Sequence, residues 1–132
     1  MVSTKTKASL IASMILIAGL LTCVWAVQAI EIKVSPNVLN ILSNGEVVTV
    51  HTDIGYSAVV GSTVTLNGVE ISHWKADNRG NFVAKFLMEE IKGLEGLNIG
   101  GMNTLTLEGE TVSKETFIGS TEILVVENIP KK

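Results

Sequence analysis

The chain has 132 residues, of which 46% are hydrophobic and 17% charged, and its net charge is −3. This length predicts a single domain, and the apolar composition excludes a largely disordered chain. The weak negative charge excludes a basic nucleic-acid-binding protein, and a single Cys excludes a disulfide scaffold.

The first thirty residues have the pattern of an export signal. Lys5 and Lys7 precede an uncharged run from Ala8 to Ile30, which closes with the small-residue exit Val27-Gln28-Ala29. A positive start, an apolar core and a small-residue exit are typical of a secretory signal peptide. We therefore expect an apolar signal helix in residues 1–29, cleaved after Ala29, and a mature domain in residues 30–132.

Two other interpretations of this segment remain open. The uncharged run is 23 residues long, enough to span a bilayer as an uncleaved anchor that leaves the domain outside the cytoplasm. Leu20-Leu21-Thr22-Cys23 resembles a lipobox, although Thr22 is bulkier than the usual residue and the apolar run continues past Cys23. If cleavage follows Ala29, Cys23 is removed and thiolate chemistry is excluded from the mature domain.

Short alternating runs separated by turn residues dominate the remainder of the chain. Asn44-Gly45 and Asn67-Gly68 predict hairpin turns, residues 77–81 predict another turn, and residues 89–96 predict at most one helical turn. A loop is expected over residues 53–62. The expected strands are 30–34, 38–42, 46–52, 63–66, 69–74, 82–87, 103–107 and 122–126, the last preceded by 117–120.

Seven to nine strands with closely spaced turns predict an all-β fold, an antiparallel β-sandwich. Its core is expected to come from one face of each strand. The predicted core consists of Ile32, Leu39, Ile41, Val48, Val50, Val64, Leu66, Val69, Ile71, Phe82, Ala84, Phe86, Leu105, Leu107, Phe117, Ile123 and Val125.

Several short sequence phrases occur in a characteristic order along the chain. They are Val34-Ser35-Pro36-Asn37 with Leu39-Asn40-Ile41 and Ser43-Asn44-Gly45, Ser62 to Gly68, Asp77 with Gly80-Asn81-Phe82, Leu105 to Gly109, and Phe117 to Ser120 before Ile123. Their order resembles the immunoglobulin-like β-sandwich modules of secreted and surface proteins in bacteria and archaea. The resemblance covers roughly residues 32–127 and implies a role as a spacer, binding surface or assembly unit without catalysis.

Patterns that indicate catalysis or calcium binding are weak. The mature chain has no Gly-x-Ser-x-Gly sequence of the kind that positions a hydrolase serine. An EF-hand loop beginning at Asp77 would need an oxygen ligand at Arg79 and a Glu at Met88. We therefore interpret residues 77–81 as a turn and expect neither a catalytic residue nor a cofactor.

Copper binding is the more specific alternative to a role without catalysis or cofactor. His51, His73, Met88 and Met102 are residue types that bind copper, but their spacing matches no metal-binding motif. The alternative is a purely structural role for these residues, with the two His residues half-exposed on strands and the two Met residues in the core at strand ends.

Three features predict a surface for a ligand or partner. Trp74 and Tyr56 are the only aromatic residues suited to an exposed platform. Alternation along 69–74 indicates an outward Trp74, which could equally cap the edge of the barrel or pack under the 53–62 loop. Leu124 and Val126 make the last strand apolar on both faces, so that strand is either central in its sheet or covered by a partner. Val83 and Leu87 lie on the outer face of their strand, where they form an apolar patch or are buried under residues 89–96.

The sequence thus predicts an exported, non-catalytic, immunoglobulin-like module that is secreted or held in the cell envelope. Its expected partner is another extracytoplasmic protein or a surface polymer, with membrane contact only through residues 8–30 if the signal is uncleaved. The alternatives are a small extracytoplasmic copper-binding protein that uses His51 or His73, and a subunit of a surface assembly.

Overall fold

The structure is a computed structural model that describes residues 27–128. Residues 1–26 of the predicted signal helix lie outside this range. Its last three residues, Val27–Ala29, form a β-strand of the domain rather than part of a helix, so the described domain begins before the predicted residue 30. Ten strands are present in the described part, together with a 3₁₀ turn at Tyr56–Ala58 and a helix α1 at Met88–Lys92. The strands are β1 Val27–Ala29, β2 Ile32–Ser35, β3 Val38–Asn40, β4 Val47–Gly55, β5 Val59–Leu66, β6 Val69–Glu70, β7 His73–Ala76, β8 Asn81–Leu87, β9 Met102–Thr111 and β10 Thr116–Val126.

The strands form two sheets, which confirms the predicted all-β sandwich. One sheet has the order β1-β10-β9-β5-β6, with β3 also paired to β10, and the other has the order β2-β4-β8-β7. Every pairing is antiparallel except those of β10 with β1 and β3, which are parallel. The count exceeds the expected seven to nine because β1 precedes the predicted domain and the expected strand 69–74 is divided into β6 and β7, although the expected segments 117–120 and 122–126 form the single strand β10.

The core lies between the two sheets and follows the predicted alternation closely. All the predicted core residues are buried except Ile41, Val69 and Ile71, which are partly buried and pack against the core. Met88 and Ile91 of α1 are also buried in this cluster. The short helix therefore closes one end of the sandwich, which strand alternation does not reveal.

The predicted hairpin at Asn44-Gly45 is wrong. β3 pairs with β10 in one sheet, whereas β4 pairs with β2 and β8 in the other. The intervening residues are therefore a crossover between sheets. In contrast, Asn67-Gly68 does turn β5 into β6, with φ values of 49° and 86°, which Asn and Gly tolerate best.

Two other strand boundaries differ from the prediction. The expected strand 69–74 is divided at Ile71–Ser72, because β6 belongs to one sheet and β7 to the other. The expected loop 53–62 is reduced to Tyr56–Ala58, since β4 continues to Gly55 and β5 begins at Val59.

The direction of the strands defines two ends of the sandwich. Connections 55–58, 77–80 and 112–115 lie together at one end, which we call the entry end. Hydrogen bonds join them, from Tyr56 N–H to Gly80 O (2.8 Å) and from Val112 N–H to Ala58 O (2.9 Å). The far end carries residues 41–46, 88–101 and 127–128. Among the described residues, no helix has the length and apolar character needed to cross a membrane.

Candidate functional site

Two surface features of the sandwich could bind a partner. One is a polar cleft of about 470 Å³ beside β4, and the other is a row of apolar side chains on the outer face of the larger sheet. The cleft is lined by Glu31, Ile32, Lys33, His51, Thr52, Asp53, Asp77, Asn78, Arg79 and Asn81.

The polar cleft arises where β4 separates from β8. Their pairing is regular up to His51 opposite Val83 and then shifts in register before Gly55. In the gap, the hydroxyl of Thr52 donates a 2.6 Å hydrogen bond to Phe82 O. The Thr52 side chain therefore takes the place of a backbone hydrogen bond between the two strands. Because β4 separates from β8 here, space is left between β4 and the β7–β8 turn.

Two of the three acidic side chains that line the cleft, Asp53 and Asp77, accept hydrogen bonds from the backbone. Asp53 Oδ1 accepts a hydrogen bond from Glu31 N–H at 3.0 Å. Asp77 Oδ1 accepts from Arg79 N–H at 2.8 Å and from Asn81 N–H at 2.9 Å. The pKa of Asp77 is held below its ordinary value by these two hydrogen bonds, and the bond from Asn81 N–H has the larger effect. The carboxyl is therefore ionised near neutral pH and poorly suited to donate a proton.

The apolar row crosses three neighbouring strands. Leu124 of β10 lies opposite Met102 of β9 on one side and Val38 of β3 on the other. Met102 is 53% exposed and Val38 is 43% exposed, while Leu124 is half-buried between them. The neighbouring Leu39 and Val125 point into the core. The row therefore lies on the outer face of the sheet, where polar side chains are usual.

The doubly apolar last strand is explained by its position. β10 is central, because β9 pairs along one edge and β1 and β3 pair along the other. Val126, opposite Asn40, is half-buried like Leu124. Of the two interpretations of this strand, the structure supports a central position, and it adds the exposed neighbours Val38 and Met102, which the sequence analysis missed.

The other predicted apolar pair does not form an exposed patch. Val83 points to the outer face as expected, but it lies between His51 and Lys75 in the sheet and is only 1% exposed. Leu87, at the end of the same strand, is 45% exposed and lies opposite the half-buried Val47 of β4.

Of the interpretations of Trp74, the structure supports packing against the 53–62 segment rather than an outward-facing ring. Its side chain is partly buried against the core, where the indole ring covers Gly61 of the opposite sheet. The exposed residue is instead the adjacent His73. The crossover at Ile71–Ser72 restarts the alternation, so a face assigned from Val69 does not extend to Trp74. Tyr56 is 40% exposed, and its ring stacks on Phe82 with centroids 6.3 Å apart.

The residues considered for copper are dispersed. His51 and His73 are both exposed on the outer face of the smaller sheet, but on strands separated by β8. Met88 is buried beside Gly45, whereas Met102 belongs to the apolar row of the larger sheet. Within residues 27–128, no three His, Cys, Asp or Glu side chains are grouped as a metal site requires.

Comparisons of the chain with family models, curated proteins and solved structures found no match. The surface itself therefore carries the functional argument. Sequence reasoning found Leu124 because its strand breaks the alternation of apolar and polar residues. It missed the cleft residues Lys33 and Arg79, because single charged residues next to turns give no signal of their own.

Proposed function

We propose that this protein is an exported, non-catalytic, immunoglobulin-like module that binds an extracytoplasmic partner protein through the apolar row Val38–Leu124–Met102. The observation that carries the proposal is the continuity of this row across three hydrogen-bonded strands. Adjacent apolar side chains on a solvent-facing sheet mark interaction surfaces more often than scattered ones do.

The rigidity of the row supports this role. β9 and β10 pair over nine consecutive residue positions without a break, and the reverse sides of β3 and β10 are anchored by the buried Leu39 and Val125. A preorganised apolar surface loses little conformational freedom on binding. Its central side chains are the type expected to supply most of the binding energy.

The polar cleft gives weaker support for a binding role. Its carboxylates Asp53 and Asp77 are already engaged by backbone N–H groups. The cleft is lined by groups of both signs, so it offers no clear preference for an anion or a cation. We therefore place the contact surface at the apolar row rather than at the cleft.

The experiment is site-specific photo-crosslinking in cells that make the protein. A photoreactive residue replaces Met102 in one variant and Leu87, which is similarly exposed on the other sheet, in the control. We expect one discrete adduct from position 102 that mass spectrometry identifies as a single partner. The adduct should be lost on adding Val38→Lys and retained on adding Leu87→Lys.

Other crosslinking results would contradict this proposal or change the identity of the partner. No adduct from position 102, or an adduct that persists with Val38→Lys, would refute the apolar row as the contact surface. An adduct formed only from position 87 would move the contact to the smaller sheet. An adduct of twice the chain mass would identify the partner as a second copy and favour a subunit of a surface assembly.

A further inference from the structure

We propose that, in a chain that keeps its uncleaved apolar segment, the entry end of the sandwich rests on a lipid bilayer. Three observations on the described residues support this: the direction in which β1 leaves the sheet, the exposed side chains at that end, and the difference in charge between the two ends. The partner is a lipid surface, and the apolar row is a separate site.

The direction of β1 fixes the end of the sandwich at which the described chain begins. β1 pairs in parallel with the start of β10, with Val27 opposite Thr116 and Ala29 opposite Ile118. Because β10 runs away from the entry end, β1 also starts at that end, with Val27 as its first residue. The hydrogen bond from Ile30 N–H to Ile118 O, 2.9 Å long, continues the attachment of the segment to β10.

No spacer separates the apolar segment from the sheet. Residues 8–26 contain no charged residue, and a segment of 19 residues is about the length that crosses the hydrocarbon core as a helix. β1 begins at the next residue, Val27. If the segment spans a bilayer, the entry end is consequently held at the lipid interface rather than at a distance from it.

The side chains at the entry end suit that interface. Val112 in the β9–β10 connection is 64% exposed and Val27 is 59% exposed, the two largest values among the exposed large hydrophobic residues described; at the far end Ile99 is 50% and Leu42 44% exposed. Tyr56 in the β4–β5 connection is 40% exposed. Tyr is favoured where an apolar surface meets water, as at the headgroup level of a bilayer.

The entry end and the far end also differ in charge. In connections 55–58, 77–80 and 112–115, the acids Asp77 and Glu115 are balanced by Arg79 and Lys114. At the far end, the described residues 41–46, 88–101 and 127–128 carry five acids, Glu46, Glu89, Glu90, Glu95 and Glu127, against the single base Lys92, and the sequence then adds Lys131 and Lys132, so the acids still outnumber the bases. An anionic membrane surface would repel the far end and tolerate the neutral entry end.

The test measures which end contacts lipid. The full chain with Cys23→Ser receives one fluorophore, attached through Val112→Cys at the entry end or through Leu42→Cys, which is exposed at the far end. Each protein is reconstituted into phosphatidylcholine vesicles, with or without phosphatidylglycerol, that contain nitroxide-labelled lipid. Ser57→Cys gives a second entry-end reporter if the first variant fails to fold.

We expect lipid nitroxide to quench the entry-end label several-fold more than the label at position 42, in both lipid mixtures. Equal quenching at the two ends, or stronger quenching at position 42, would overturn the proposed orientation. Recovery from the producing cells of only a soluble chain that begins at Ile30 would show that the native chain does not keep the segment and would overturn the proposal. The crosslinks from Met102 are independent of either result, so this proposal and the proposed function fail separately.

Discussion

At the scale of single residues, contact between the sheets depends on Gly61. This residue is buried in β5, and a Cβ added there would lie 2.6 Å from Trp74 Cδ2. The indole ring therefore occupies the place of the missing side chain. Trp74 can fill this part of the core only because the facing strand supplies a glycine.

We predict that Gly61→Ala lowers the free energy of unfolding by about 1–3 kcal/mol, since the ring must move from its packed position. The matched control is Gly55→Ala, because Gly55 has a φ of −64° and no atom within 4 Å of an added Cβ. The control should change stability by less than about 0.5 kcal/mol. Urea denaturation followed by circular dichroism measures both, and equal effects would refute the role of Gly61.

Asp77 gives a prediction about pH. Its folded-state pKa is lowered, chiefly by the hydrogen bond from Asn81 N–H, relative to the ordinary 3.8. A lowered folded-state pKa contributes stability that is present above the unfolded-state pKa and is lost as the pH falls through the folded-state pKa. We therefore expect Asp77→Asn to flatten the fall in stability below about pH 4.

The measurement for Asp77 is the midpoint of thermal unfolding from pH 2 to pH 7. Asp53→Asn is a useful comparison, because Asp53 lines the same cleft but accepts one backbone hydrogen bond where Asp77 accepts two. If the wild type and Asp77→Asn lose stability in parallel below pH 4, the carboxylate of Asp77 does not contribute through its ionisation.

At the scale of elements, β10 organises the larger sheet. It pairs with β9 along one edge, and with β1 and then β3 along the other, while β2 crosses to the smaller sheet between them. Gly119 lies at this crossing, where an added Cβ would be 2.7 Å from Ile30 O. The absence of a side chain lets the crossing segment pass close to the edge of β10.

β1 gives the prediction at this scale. A chain that begins at Ile30 lacks β1 and leaves residues 116–118 of β10 without that partner. We expect it to be less stable than a chain that begins at Val27, by about 1–3 kcal/mol for the loss of a few backbone hydrogen bonds. Thermal denaturation of the two chains measures the difference, and identical midpoints would show that β1 adds no stability.

At the scale of the whole molecule, the two proposed surfaces occupy different places. The entry end gathers the exposed Val27, Val112 and Tyr56, whereas Leu124 of the apolar row lies eight residues along β10 from Thr116. At about 3.3 Å per residue, this separation is about 26 Å. A sandwich that stands on a bilayer by its entry end would therefore hold the row clear of the lipid for a partner protein.

Most of the core was predictable from the sequence, but the connections between sheets were not. Alternation identified the inward residues of each strand because a half-buried sheet imposes a period of two. The alternation failed at Trp74, because the chain crosses to the other sheet before this residue and the pattern of inward and outward side chains begins again there. Asn44-Gly45 has the local chemistry of a hairpin turn, but pairing is decided by which strands bury their apolar faces together.

The sequence by itself determined the all-β class, the inward face of nearly every strand and the unusual apolar character of Leu124. These properties are local, because they depend on side-chain periodicity and turn chemistry within a few residues. Only the tertiary structure decided that Leu124 joins Val38 and Met102, that β4 opens a cleft, and that Val27 and Val112 share one end. Each of these depends on pairing between residues distant in the chain, and no local pattern specifies that pairing.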